Sequence, residues 1–159
     1  MRRISAARVA LVLALVALAA GGCAPSSSPS LTRVSHPTSL VGTTWRLVSL
    51  DARRPPDGPD LTIDFSPTDV SGEGGCNSFG GQYAYRAATG ELRLAGLVST
   101  KRACVDAARN DAEAAYFGAL DTVDQASIDP GGRLVLSGSD AVLVFEVGPQ
   151  PVALPPVMP

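Results

Sequence analysis

Residues 61–65 read Leu61-Thr62-Ile63-Asp64-Phe65, and this short segment decides the class of the fold. Its apolar and polar side chains alternate strictly, which is the pattern of a strand with one buried face. The same period of two recurs along most of the chain, at residues 44–50, 82–86, 91–97, 134–136 and 142–147. Clusters of turn residues, such as Asp129-Pro130-Gly131-Gly132, separate these segments. The pattern therefore predicts a sheet built from short strands.

One segment has a helical period instead. Asn110 or Asp111 can cap a helix start, because a short acceptor side chain satisfies a free backbone N–H. Apolar residues then recur at steps of three and four, at Ala112, Ala115, Tyr116, Ala119, Leu120 and Val123. This helix must dock on the strands, since a sheet needs a cover for its apolar face. The prediction is an α+β fold, mostly antiparallel β: a compact barrel-like sheet domain with one helix.

The N-terminus predicts export from the cytoplasm. Three arginines precede an unbroken apolar run over residues 9–20, which is shorter than the roughly 20 residues that a bilayer-spanning helix needs. A basic N-terminal region, a short apolar run and small residues at the cleavage site are typical of a secretory signal peptide. We assign residues 1–22 to it.

The exit of this segment, Ala20-Gly21-Gly22-Cys23, resembles a lipobox, although leucine is commoner at the position of Ala20. The resemblance implies a diacylglycerol on Cys23, so membrane lipid is a predicted partner. The alternative is a plain signal peptide that leaves Cys23 unmodified. The predicted location is the cell membrane or cell envelope, lipid-anchored and extracytoplasmic.

Composition divides the rest of the chain. Residues 23–39 form a lipidated Ser/Pro-rich tether whose composition cannot bury enough apolar surface to fold, and a coil of about 15 residues spans on the order of 20 Å. Residues 148–159 form a proline-rich tail that should be disordered. The interval 40–147 remains, which is the size of one domain.

Charge and histidine content exclude several classes of function. Removing residues 1–22 takes away three arginines and no acid, which leaves ten basic and fifteen acidic residues and a net charge of −5. Nucleic-acid binding is excluded because it needs a clustered basic face. The only histidine, His36, lies in the tether. Ser-His-Asp catalysis and zinc–histidine sites are therefore excluded in the domain.

Two cysteines, Cys76 and Cys104, lie within the domain. An even pair outside the cytoplasm normally oxidises, which predicts a structural disulfide. A redox dithiol and a metal pair are the alternatives. Redox sites favour a close CxxC spacing and metal sites need about four ligands, and neither condition is met. The glycines around Cys76 predict positive φ angles or close packing of main chain against main chain.

These segments together resemble the META domain, also called the HslJ-like domain. The resemblance rests on WRL at 45–47, LTIDF at 61–65, GEGGCNSFGGQY at 72–83, and STKRAC at 99–104, which matches the family's ST-x-x-x-C segment. Glu113, Tyr116 and Leu120 resemble the family's helix, and residues 134–136 and 142–145 its closing strands. A methionine usual in the family is replaced by Ala103, and Tyr116 occupies a usual aromatic position.

The resemblance implies a compact antiparallel β domain with one helix, often found in bacterial envelope lipoproteins. It implies no established enzymatic activity, and it associates members with heat-shock response and novobiocin resistance. We therefore predict a non-catalytic, membrane-anchored envelope lipoprotein, without a cofactor and monomeric, that binds an envelope protein or a small ligand. The alternatives are a carboxylate-based hydrolase using residues such as Asp64, Glu73 or Asp106, and a thiol-redox protein.

The polar residues beside the predicted disulfide are the first place to look for a binding surface. These are Asn77, Ser78, Ser99, Thr100, Lys101 and Arg102. The alternative is that Asn77 and Thr100 hydrogen-bond the backbone of the turn, as such residues commonly do.

Overall fold

The computed structural model of the protein describes residues 35–58 and 60–148. The predictions for the signal peptide (1–22), for the lipidated Cys23, for the tether up to residue 34 and for the tail from residue 149 lie outside these described residues. Eight strands and one helix lie within them, in the order β1 (Thr44–Leu50), β2 (Thr62–Phe65), β3 (Asp69–Glu73), β4 (Ser78–Arg86), β5 (Glu91–Ser99), α1 (Ala107–Leu120), β6 (Val123–Ile128), β7 (Leu134–Gly138) and β8 (Val142–Val147).

The strands form a closed antiparallel barrel. Each strand pairs with its neighbour in sequence, and β8 returns to pair with β1, where Trp45 lies opposite Val147. In β2, Ile63 and Phe65 are buried while Thr62 and Asp64 are only half-buried, so the alternation of the sequence becomes the two faces of the strand. The predicted α+β, barrel-like domain is confirmed.

The barrel interior is filled by the inward-facing side chains of the strands together with side chains from the buried face of α1. Burying such a Leu, Ile or Phe side chain contributes about 1.5–3 kcal/mol relative to leaving it exposed. Tyr116 and Leu120 enter this core from the helix, and they join the fully buried residues Ile63, Val70, Leu92, Leu134, Leu136, Leu143 and Phe145.

The helix begins one turn earlier than the sequence predicted. Asp106, rather than Asn110 or Asp111, is the N-cap, and its carboxylate accepts hydrogen bonds from the backbone N–H groups of Ala108 (2.8 Å) and Arg109 (3.3 Å). The helix is therefore capped by the first acidic side chain after the disulfide segment.

The buried face of the helix also differs from the predicted stripe. Ala115 is exposed and Val123 belongs to β6, whereas Glu113 is buried together with Tyr116, Ala119 and Leu120. The prediction missed Glu113 because a charged residue is not counted in an apolar period.

The barrel is joined most sparsely between β5 and β6. Their strand register contains the single pair Glu91–Gln125. Two residues of the predicted tether lie beside this seam: the backbone O of Ser35 accepts from Ile128 N (2.7 Å), and Nδ1 of His36 lies 3.2 Å from the carbonyl oxygen of Ala126. Among the described residues, no helix has the length and apolar character that a bilayer crossing requires.

Candidate functional site

A buried carboxylate organises the connection between β3 and β4. Oε1 of Glu113 accepts hydrogen bonds from the backbone N–H groups of Asn77 (2.7 Å) and Cys76 (3.1 Å), and Oε2 accepts from Nδ2 of Asn77 (2.7 Å). Glu113 is 6% exposed. Because a buried charge is costly unless it is hydrogen-bonded, these contacts explain how the helix carries a carboxylate into the domain.

Asn77 links this carboxylate to the segment that follows β5. Its Oδ1 accepts from the Oγ1 hydroxyl of Thr100 (2.9 Å) and from the backbone N–H of Arg102 (2.6 Å), and its Nδ2 also donates to the carbonyl of Arg102 (3.2 Å). Every polar atom of the Asn77 side chain is engaged inside the domain, so the side chain is committed to holding two connections together.

The disulfide lies beside this network. Cys76 and Cys104 are bonded, with their Cα atoms 5.8 Å apart, a separation usual for disulfides. Both residues are half-buried. Their sulfurs and a Glu113 oxygen lie within 4.8 Å of one another, the one such grouping of potential metal ligands in the described chain. While the two sulfurs are bonded, neither is a thiolate ligand.

Two glycines before Cys76 let the helix reach this network. A side chain at Gly74 would collide with the Phe117 ring and with the Glu113 carboxylate, and Gly75 has a φ of +107°. The segment therefore uses glycine for both predicted reasons, close packing and a positive φ.

The six residues of the predicted binding surface differ in their availability. Asn77 is buried, Ser78 is half-buried, and the hydroxyl of Thr100 is bonded to Asn77. The structure leaves the side chains of Ser99, Lys101 and Arg102 exposed. The Asn77 side chain bonds the backbone of Arg102, as the alternative predicted, whereas the Thr100 hydroxyl donates to the Asn77 side chain and not to the backbone.

The three carboxylates considered for hydrolysis lie on different elements. Asp64 is on β2, the exposed Glu73 is on β3, and Asp106 is the cap of α1. None of the three lines the grooves described next.

A first groove, the strand groove, lies where residues 54–58 and 60 meet β1 and the end of β8. Its volume is about 440 Å³. Most of its charges are already paired, since Arg46 bonds Glu146 and lies 3.8 Å from Asp60. The two oxygens of Asp129 accept from the backbone N–H and the guanidinium of Arg133, and these hydrogen bonds hold the pKa of Asp129 below its ordinary value.

A second groove, the helix groove, follows the outer face of α1. It consists of cavities of about 380 and 180 Å³ that share Leu50, Asp51 and Ala115 as lining residues. Small side chains of the helix form one wall, at Ala112, Ala115, Gly118 and Ala119. The barrel and the loop form the other wall with apolar residues, at Leu47, Leu50, Pro55, Pro56, Leu61 and Ala141, and Asp51, Thr122 and Asp140 add polar groups to the lining.

A strained turn lies where the two cavities of the helix groove meet, since Leu50 and Asp51 line both. Leu50 and Arg53 exchange two backbone hydrogen bonds of 2.9 Å, and the two residues between them, Asp51 and Ala52, have φ angles of 48° and 62°. Two consecutive positive φ angles define a type I′ turn, which favours Asn or Gly. Each non-glycine residue in this left-handed backbone conformation costs about 1–2 kcal/mol of free energy.

The turn presents two free arginines. Arg53 and Arg54 line the helix groove, and Arg54 also lines the strand groove. Neither guanidinium has a carboxylate within 4.0 Å among residues 35–58 and 60–148. The arrangement is a largely apolar trough with two arginines at its larger cavity and Asp140 at its smaller one.

A family model describing the META domain matches residues 38–149 of this chain. The chain belongs to the META domain family. The resemblance inferred from the sequence motifs is thereby confirmed, and the META domain covers all the described strands and the helix.

Two solved structures resemble this META domain. An NMR structure of a protein from Burkholderia xenovorans is 26% identical, with a TM-score of 0.58, and the match covers 69% of this chain and 83% of that chain. A second NMR structure is 22% identical, with a TM-score of 0.54, covering 66% and 88%, and shows the fold alone. A comparison with curated proteins found no match.

Proposed function

We propose that this META domain protein is a non-catalytic binding module held at the outer face of a membrane by lipid on Cys23. The N-terminal sequence pattern supports the anchor, because a signal peptide ends at a lipobox-like segment. The bonded pair Cys76–Cys104 supports an oxidising compartment. Support for envelope integrity under heat or antibiotic stress is the wider role that the family suggests.

The single observation that carries the binding role is the helix groove. Its walls belong to the helix, the barrel and a proline-stiffened loop, and concave apolar sites with a few polar groups are where proteins bind ligands. The surface beside the disulfide is a weaker candidate, because Asn77 and Thr100 are committed to internal hydrogen bonds.

Two further observations support a non-catalytic role over a hydrolase. Asp106 is occupied as a helix cap, and Glu113 is surrounded by N–H groups that it must satisfy. A hydrolase of the glycosidase type needs two carboxylates that converge on a substrate, and the carboxylates considered for that role do not line either groove.

The test combines location with photo-crosslinking in the native envelope. Wild-type protein should sediment with membranes, and Cys23→Ser should abolish this association. A benzophenone side chain at position 115, which lines the helix groove, should form a reproducible adduct in intact cells. The matched control is position 114, which is exposed on the same helix and does not line the groove. Membrane association of Cys23→Ser, or adducts that are equal at both positions, would contradict the proposal.

A further inference from the structure

We infer that the helix groove holds the acyl chain of an anionic single-chain amphipath, with its charged head at Arg53 and Arg54. The inference rests on the proposed binding function and names the class of ligand. The common chemistry of that ligand is an unbranched hydrocarbon chain that ends in a carboxylate or a phosphate.

The shape of the groove carries the first half of the inference. From Ala112 to Ala119 the helix wall advances by about 10 Å, and it presents only Ala and Gly side chains to the groove. The facing wall is made by Leu47, Leu50 and Ala141 with the two prolines. A long trough with small residues on one side accommodates an unbranched chain better than a bulky ring system.

The charge along the groove carries the second half. Arg53 and Arg54 line its larger cavity and have no ion-pair partner among the described residues, whereas Arg46 and Arg133 have carboxylate partners. Two carboxylates also line the groove, but Oδ1 of Asp51 accepts from the backbone N–H of Val142 at 2.8 Å, and Oδ2 of Asp140, in the smaller cavity, accepts from the hydroxyl of Ser139 at 2.6 Å. Arginine binds carboxylate and phosphate groups through parallel N–H bonds, so two free guanidinium groups at the larger cavity match an anionic head.

The loop that carries these arginines is preorganised. Pro55 and Pro56 have fixed φ angles, and beyond them the guanidinium of Arg109 packs against Gly58. Only about 10 Å³ remains between this part of the loop and the helix. Strained backbone such as the Asp51–Ala52 turn persists at binding sites because the surrounding structure holds it there.

The binding test uses residues 23–159 with Cys23→Ser, so that neither the signal segment nor an attached lipid competes. Calorimetric titration should detect hexadecanoate and hexadecyl phosphate below their aggregation concentrations. Comparing these two heads distinguishes a free fatty acid from a lysophospholipid-like source. Affinity should fall as the chain is shortened, by up to about three- to fourfold for each methylene that the trough no longer buries, and hexadecanol should bind at least tenfold more weakly. Equal affinity for hexadecanol, or no dependence on chain length, would overturn the inference.

Two matched pairs of variants locate the site. Ala115→Leu fills the groove and should weaken hexadecanoate binding at least tenfold, whereas Ala114→Leu places the same side chain outside it. Arg54→Gln should weaken binding of the anionic ligands but not of hexadecanol, whereas Arg93→Gln removes an exposed arginine of β5 and should change nothing. Circular dichroism checks that each variant is folded. Equal losses within either pair would overturn the inference.

The outcome also separates this inference from the proposed function. A groove-specific adduct in cells without hexadecanoate binding would refute the ligand class and leave the binding role standing. An adduct at position 115 with a second copy of the chain, or with residues 149–159, would overturn the inference because that polypeptide occupies the trough. Loss of both the adduct and hexadecanoate binding would refute both proposals.

Discussion

Glu113 places a negative charge where β3 turns into β4, and three N–H groups converge on its two oxygens. The same residue lies on the buried face of α1, three positions before Tyr116. The contact therefore fixes the helix against the disulfide segment. Three hydrogen bonds from Cys76 and Asn77 occupy most of the acceptor sites of this carboxylate, which gives it a structural role at this contact.

The first prediction concerns this carboxylate. Glu113→Ala leaves buried N–H donors without an acceptor and should lower the free energy of unfolding by about 2–4 kcal/mol. The matched control Asp111→Ala removes an exposed carboxylate of the same helix and should change stability by less than about 0.5 kcal/mol. Urea unfolding monitored by circular dichroism measures both. Equal effects of the two substitutions would contradict the assigned role.

Tyr116 provides a pH test of the core. Complete burial raises the pKa of its hydroxyl well above 10, and the nearby charge of Asp64 raises this pKa further. Because the raised pKa belongs to the folded state, the contribution of the protonated Tyr116 hydroxyl to the free energy of unfolding is fully present below a pH of about 10. It is lost as the pH rises from there through the folded pKa.

The second prediction follows from this direction. The free energy of unfolding of the wild type should fall between about pH 8 and pH 11. Tyr116→Phe should cost about 1 kcal/mol at the lower pH, through loss of the hydrogen bond to the carbonyl of Thr62 (3.0 Å). It should then show a smaller further loss on alkalinisation, with a residual slope from Tyr83 and Tyr85, whose pKa values burial also raises. Parallel curves for the two proteins would contradict the account.

At the scale of elements, the turn between Leu50 and Arg53 is where the amino-acid sequence suits the backbone conformation least, since two non-glycine residues have positive φ angles. Asp51 is compensated by its bond to Val142, whereas the methyl side chain of Ala52 has no polar group with which to form such a bond.

The third prediction uses this disagreement. Ala52→Gly should stabilise the protein by up to about 1 kcal/mol, because it relieves the strain of the left-handed backbone. The gain is smaller than the strain itself, because glycine also raises the conformational entropy of the unfolded chain. Ala87→Gly, in a turn residue without a positive φ, should destabilise by about 0.5 kcal/mol. Thermal unfolding compares the two. A destabilising Ala52→Gly would show that the turn is not strained.

Six of the eight strands were predictable because their signal is local, whereas β3 and β6 lie outside the segments in which the sequence analysis found a period of two. Alternation at residues 61–65 and the spacing of Leu134 and Leu136 report directly which side chains face the core. The helix cap was missed because Asp106, Asn110 and Asp111 are all good caps, and only the position of the disulfide segment decides between them. The spacing of Glu113 from Tyr116 and Leu120 was the one signal for the buried carboxylate, since it places a charge within the buried helix face.

The grooves could not be predicted from the sequence. The helix groove needs the β1–β8 closure, the Pro55–Pro56 wall and the docking of Ala115 alongside Leu50, and these contacts join residues far apart in the chain. Arg53 and Arg54 carry no motif of their own. Their importance follows from where the turn places them and from the absence of a partner for either in the described structure.

At the scale of the whole molecule, the disulfide compensates for the small size of the domain. Cys76 and Cys104 are separated by 28 positions and join the β3–β4 connection to the segment before α1. The fourth prediction is that replacing both cysteines by alanine lowers the free energy of unfolding by about 3–4 kcal/mol in the chain-entropy description. Urea unfolding of the variant and of the oxidised wild type measures this, and coincident curves would contradict it.

The most direct measurement is intact-mass and peptide analysis of the protein purified from membranes of its native host. We predict a mature chain that begins at Cys23 with a diacylglycerol on its sulfur, and a disulfide between Cys76 and Cys104. A chain that retains residues 1–22 and carries two free domain thiols, recovered from the cytosol, would contradict the account.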